Sequence, residues 1–254
     1  MKLAPVLAAL FAFATVSTVA AEKDPRVFEM RTYTALPGRL DALNARFRDH
    51  TCKLFEKHGM VNLGYFVPVQ NTNNQLIYFL AHQSRDAARK SWAAFIADPD
   101  WRKAQQASEA DGKILAKAPE AIFLDATDYS PAIKHSDVGG RVFEVRTYTT
   151  EPGRLDALNA RFRDHTVKLF AKHGMANIAY WVPMKGEKGA DNTLVYLLAH
   201  KSEEAAKASF DGFHKDGEWV AARKASEEKA GGSLTVQGGV QSMFLKPVDY
   251  SRVK

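Results

Sequence analysis

The stretch PGRLDALNARFRDHT stands twice in the chain, at residues 37–51 and again at 152–166. The offset of 115 residues holds on both sides of the match. Arg26-Val27-Phe28-Glu29-Met30-Arg31-Thr32-Tyr33 returns as Arg141-Val142-Phe143-Glu144-Val145-Arg146-Thr147-Tyr148, and His58-Gly59-Met60 as His173-Gly174-Met175. A solenoid repeats every few tens of residues, whereas this period is the length of a small domain. The chain must therefore be built from two copies of one globular unit. Any face that one copy leaves uncovered has the other copy at hand to cover it.

Within the unit, residues 27–34 alternate and are β-branched or aromatic, which predicts a strand. Pro37-Gly38 opens a helix, with Pro near the first turn where its missing N–H costs nothing, and His58-Gly59 closes it. On that helix Leu40, Leu43, Phe47, His50 and Leu54 recur at steps of three and four as one buried stripe. A second strand over 61–69, a polar turn over 70–75 and a third strand over 76–82 form a hairpin. The second copy carries three extra residues in this loop, within 185–193, as exposed loop tips allow. Ser84 caps a further helix, which Asp98-Pro99 breaks before it resumes over 100–110. A last short strand covers 121–125 and, in the second copy, 241–245, where the glycine-bearing stretch 230–239 lengthens the preceding loop. The order βαββαβ is ferredoxin-like: an antiparallel sheet with helices on one face. The predicted class is α+β, with two tandem units at 22–130 and 141–254 joined by a linker at 131–140. Their uncovered sheet faces are expected to pack face to face within one chain.

Strand periodicity sorts the side chains. Phe28 and Met30 suit the helices, as do Ile77, Phe79 and Ala81. Glu29, Arg31 and Tyr33, with Tyr78 and His82, then fall on the face that should meet the other sheet. The second copy gives the same set: Glu144, Arg146, Tyr148, Tyr196 and His200. Two readings of this polar set stay open. It is either an ion-pair and tyrosine network that fixes how the halves dock, or a pocket where Arg31 or Arg146 holds an anionic group. His50 and its counterpart His165 join the candidate site from the first helix, although their stripe belongs to the helix side. No metal is expected, since no H-x-x-x-H, paired cysteines or carboxylate-rich loop occurs. No nucleophile elbow, P-loop or dinucleotide fingerprint occurs either.

Residues 1–21 are expected to be a signal peptide, with Lys2 as the positive start, an apolar core over 6–19 and small residues at 19–21. An uncleaved anchor is the alternative. No later stretch is apolar enough to span a bilayer. The only cysteine, Cys52, matches Val167 in the second copy and reads as a small apolar residue, not a nucleophile. The net charge of +6 is dispersed among acids, without basic runs interleaved with aromatics, so nucleic acid is not expected as a partner.

FEMRTYTALPGRLDALNARF, then HTCKLFEKHGM, then the Tyr65-Phe66-Val67 strand, then the Asp98-Pro99-Asp100-Trp101 helix break together resemble the NIPSNAP family. The second copy repeats the series, with Asp216-Gly217-Glu218-Trp219 at the break. The resemblance implies a dimeric α+β barrel, here made by one chain. It implies no established catalysis, and founding members of the family are associated with mitochondria and protein interaction. Relatives in the wider barrel superfamily include cofactor-free monooxygenases and haem-using enzymes. The leading expectation is an exported tandem protein, periplasmic or secreted, that binds a small molecule or a protein partner. The alternative is an enzyme, either a cofactor-free or a haem-linked monooxygenase. A structural interaction module is the third reading. No cofactor is expected under the leading reading, haem under the alternative. Self-association of the tandem barrel stays open.

Overall fold

The computed structural model describes residues 23–137 and 139–254. The expected signal peptide lies outside them. The first copy runs β1 (Val27–Thr34), α1 (Leu40–Arg46), a π-helical turn (Phe47–Thr51), α2 (Cys52–Lys57), β2 (Val61–Pro68), β3 (Gln75–His82), α3 (Arg85–Ala97), α4 (Pro99–Ser108) and β4 (Glu120–Ala126). The second copy runs β5 (Val142–Thr150), α5 (Leu155–Arg161), a π-helical turn (Phe162–Thr166), α6 (Val167–Lys172), β6 (Ala176–Pro183), β7 (Thr193–His200), α7 (Glu203–Lys215), α8 (Gly217–Ala230) and β8 (Thr235–Pro247).

Local chemistry sets the boundaries. Ser84 Oγ accepts from the Ala87 N–H at 3.0 Å, which satisfies an orphan donor at the start of α3. Asp98 Oδ1 accepts from the Asp100 N–H at 2.8 Å, and Pro99 occupies the first turn of α4. Gly59 takes φ 77° after α2, a left-handed cap that a residue with a Cβ adopts only with strain. Three expectations need correction. The π-helical turn inserts an extra residue into the first helix, so the buried stripe passes through Phe47, Thr51, Leu54 and Phe55 while His50 is turned into solvent. Thr51 Oγ1 takes up the widened turn by donating to the Arg46 carbonyl at 3.1 Å. His165 is exposed for the same reason. The second correction concerns 235–239, which belong not to a loop but to the long strand β8.

The strands run β4-β1-β3-β2 in the first sheet and β6-β7-β5-β8 in the second. The sheets meet through their helix-free faces and also join at both edges. Phe66–Pro68 of β2 pair antiparallel with β8, and Leu124–Ala126 of β4 with β6, which closes an eight-stranded barrel. Aromatic rings cross the boundary between copies inside it. Phe79 stacks on Trp181 at 5.2 Å between centroids, and Phe66 meets Phe143 at 5.0 Å. The space left among these side chains is about 10 Å³, at the lower limit for one water molecule. The tails after β4 and β8 are exchanged: Arg163 holds Asp128 and Arg48 holds Asp249, each at 2.6 Å, while Tyr129 and Tyr250 donate to Asn159 and Asn44.

The face assignment is reversed from the one expected. Phe28, Phe79, Ile77 and Ala81 line the barrel interior, and Tyr33, Leu76, Tyr78 and Leu80 pack under the helices. Both faces of each sheet are buried, so alternation tells which residues travel together but not which way they point. The polar set could not fill the barrel interior. It would be sealed there among aromatic rings, whereas on the helix side Trp92 offers a donor and the Arg31 stem can lead its head toward the edge.

A chain cut after Ser136 would expose Phe28, Phe66, Phe79 and Leu124, together with the open edges of β2 and β4. Sedimentation of residues 22–136 is expected to show dimers or larger aggregates. A well-folded monomer would show that the barrel is not needed to cover the sheet.

Candidate functional site

β1 and β3 pair in a register that sets Arg31 opposite Tyr78 and Val27 opposite His82. Glu29, Arg31, Tyr33, Tyr78 and His82 thus gather on one face, as their periodicity predicts, beneath α2 and α3. Glu29 is 1% exposed. Its Oε1 accepts from Arg31 Nη1 at 2.6 Å, and its Oε2 accepts from His82 Nε2 at 2.9 Å and from the Trp92 indole at 2.8 Å. An ionised carboxylate only accepts, so His82 carries a proton on Nε2. The Arg31 guanidinium lies over the Trp92 ring at 4.2 Å. Burial pushes the Glu29 carboxyl up, but the His82 and Trp92 hydrogen bonds and the Arg31 charge outweigh it and hold the group below the ordinary glutamate value. Burial also works against the Arg31 charge, yet the Tyr78 and Tyr33 oxygens and Glu29 hold it above its usual value.

The second copy repeats the set with one difference. Glu144 accepts from Arg146, and from His200 at 3.0 Å, but Phe210 stands where Trp92 stands and offers no donor. Arg146 lies over that ring at 4.4 Å. In both copies His82 or His200 Nδ1, the Tyr78 or Tyr196 hydroxyl and the Arg31 or Arg146 Nε are buried without a partner. These sets fasten the helix layer to its own sheet. The expectation that they fix the docking of the two halves is corrected by their place under the helices, because the halves dock through the apolar barrel interior. Trp92, which the sequence did not mark as a site residue, is a working member of the network. Its place in the stripe with Ala88 and Phe95 gave no sign of the carboxylate beneath it.

His50 and His165 do not join these sets. They lie on the outer side of the π-helical turns. His165 instead lines a groove of about 560 Å³ between α5 and α8, with Arg154, Arg161, Asp164 and Lys229 as its charged members. A second groove of about 490 Å³ lies on the other side of α8, around Trp219 and Arg223. Neither is lined by Glu144, Arg146 or His200. Among the described residues no cluster of three or more His, Cys, Asp or Glu side chains is placed to hold a metal ion, and no helix is long and apolar enough to cross a membrane. Burial pushes the Cys52 thiol up to about 11, which leaves it a poor nucleophile at neutral pH.

The NIPSNAP family model matches residues 28–131 and again 143–252. The chain belongs to the NIPSNAP family. A NipSnap homolog of Dictyostelium discoideum is 25% identical over 195 residues, covering 76% of each chain. Among solved structures, a candidate monooxygenase from Fusobacterium nucleatum superposes with a TM-score of 0.59 at 8% identity, over 92% of this chain and 99% of that one. Another, from Lactobacillus acidophilus, gives 0.56 at 12% identity, over 88% and 94%. At such identities these two likenesses establish the barrel fold alone.

In this tandem NIPSNAP chain the Glu29 set makes a measurable demand on the fold. Arg31→Ala leaves a buried carboxylate short of its charge partner and is expected to cost about 3–5 kcal/mol. Combining it with Glu29→Ala should cost less than the sum of the two single changes. Trp92→Phe, which copies the second unit into the first, removes one donor to a charged group and should cost about 1.5–3 kcal/mol. Urea unfolding of the wild type and the four variants measures these terms, and wild-type stability in Arg31→Ala would mean that the pair is solvated.

The same geometry sets a pH dependence. Glu29 and Glu144 both sit below the ordinary carboxyl value when folded. They therefore add stability that is present above the unfolded value, about 4.3, and is lost as pH falls through the folded value. The urea midpoint should hold near neutrality and drop below about pH 4. Glu29→Gln should flatten part of that fall, and an unchanged slope would remove Glu29 from the account.

Proposed function

We propose that this NIPSNAP protein is exported and binds a small molecule, without catalysing a reaction, in the groove between α5 and α8. The observation that carries the reading is the concave space itself. Its volume of about 560 Å³ falls in the range of small-molecule sites, and it lies in a molecule whose barrel interior is filled. The buried Glu29 and Glu144 sets are engaged with their own partners and lie away from that space. The π-helical turn, a device frequent at functional sites, brings Asp164 and His165 to its wall. Export is supported by Lys2, the apolar core over 6–19 and the small residues at 19–21.

A haem-linked enzyme would need an axial ligand, for which the sheet-side histidines are the buried candidates. His82 and His200 commit Nε2 to a carboxylate and are 1% and 2% exposed, under packed helices. They do not fit an axial ligand, which needs a free ring nitrogen facing a cavity.

Thermal-shift screening of the mature protein against a metabolite set is expected to give hits that Ala225→Trp abolishes, because that exposed side chain would fill the groove. Hits that stabilise Ala225→Trp as much as wild type would place the site elsewhere. The purified protein should show no Soret band. Such a band would overturn the non-catalytic reading in favour of a haem enzyme. Intact mass of the protein recovered from the exported fraction should show the loss of residues 1–21, and retention of those residues would end the export reading.

A further inference from the structure

We propose that the groove between α5 and α8 recognises the anionic group, a carboxylate or phosphate, of its ligand, with Arg161 as the main contact. This rests on the ligand-binding reading above and adds the class of ligand. What carries it is a difference between two copies that are otherwise alike.

Each copy holds a buried arginine over a tryptophan, with a glutamate nearby: Arg46, Trp101 and Glu109 in the first, Arg161, Trp219 and Glu227 in the second. In the first copy α4 stops at Ser108. Glu109 comes just past the end and turns back to Arg46 at 3.1 Å. In the second copy α8 continues to Ala230, so Glu227 stays within the helix. There Arg223, one turn earlier, takes it at 3.0 Å, where the first copy has the neutral Gln105. Arg161 is left 3.7 Å from Glu227 and 3.4 Å from Ser226 Oγ, both long for a charge-assisted bond.

That arginine is only 7% exposed, it lines the groove, and its Nε meets no acceptor. A charge so buried is costly unless something completes its partners. Burial draws the Arg161 guanidinium below its ordinary value, and Glu227 offsets that only in part. The groove supplies two further cations. Arg154 is one, and Lys229 is the other, at the position where the first copy has Asp111. Asp164 is the one acid among the lining side chains. Between the charges, Ala157, Ala160, Ala222 and Ala225 leave a shallow apolar wall. Such a site suits a planar or short-chain molecule with one anionic end, held by a forked donor that an ammonium could not reproduce.

The test uses phenyl phosphate and benzoate as anionic probes and benzyl alcohol as the neutral one, titrated into the mature chain with backbone amide shifts as the readout. Either anion, or both, should move the amides of Gly153, Ala160 and Ala225. Arg161→Gln should weaken that anion at least tenfold and Lys229→Asp several-fold. Glu227→Gln should tighten it, and Arg46→Gln in the first copy should leave it unchanged. Lys229 is on the exposed face of α8, so its variant keeps the test valid if Arg161→Gln fails to fold. Anion binding that is equal in wild type and Lys229→Asp, or amide shifts confined to other parts of the chain, would overturn the proposal. Benzyl alcohol binding the groove as tightly as the anions would end the anion assignment while leaving a ligand site. Silence from all three probes would also end it, and the metabolite screen would then judge the ligand reading separately.

Discussion

A four-stranded sheet that carries its helices on one side has a second apolar face with nothing to cover it, and the whole architecture answers that deficit. The second copy supplies the missing layer, so Phe79 of one sheet stacks on Trp181 of the other. Two open sheets laid together would still leave four unpaired edges, each a site for unwanted strand addition. Short pairings of β2 with β8 and β4 with β6 close them into a barrel. The exchanged tails extend the same logic, since Asp128 and Asp249 each reach the first helix of the opposite copy.

Closure forces a division of chemistry between the two faces of each sheet. The barrel interior is sealed from water and filled by rings, so it takes no charge. The polar residues of β1 and β3 are left to the helix side, where hydrogen bonds can be completed. Glu29 is the centre there, and Arg31, His82 and Trp92 converge on it from β1, β3 and α3. The carboxylate therefore ties helix to sheet while the aromatic rings tie sheet to sheet.

The duplicated unit, its element order and the grouping of Glu29, Arg31, Tyr33, Tyr78 and His82 on one face were legible because each rests on repetition or on a period of two. The direction of that face was not, since both sides of the sheet are apolar apart from the polar set itself. His50 was misplaced because a stripe at steps of three and four assumes an unbroken α-helix, and FRDHT carries no mark of the π-helical turn that displaces it. The Trp92 bond to Glu29 joins residues 63 apart, and no local pattern reports it. Arg161 escaped notice for a further reason. Its isolation comes from where a helix ends, and helix ends are the least legible part of a sequence.

The two copies are held alike where the barrel needs them alike and diverge where it does not. Ile114 and Leu234 are both fully buried and both offer a carbonyl to the chain just before the first helix, so the return to the last strand is pinned at one point in each copy. The second copy has two more residues between Trp219 and Leu234 than the first has between Trp101 and Ile114. With both ends fixed, the added length cannot alter the sheet and goes into the helix. α8 runs on to Ala230, and Gly231 at φ 71° turns the chain back to its anchor. A glutamate that would have been free to turn toward a buried arginine is then bound into helical geometry, with Arg223 as its nearer partner. A small change in length, confined to the outer layer by the demands of the barrel, is thus enough to leave Arg161 short of its counter-charge beside the groove.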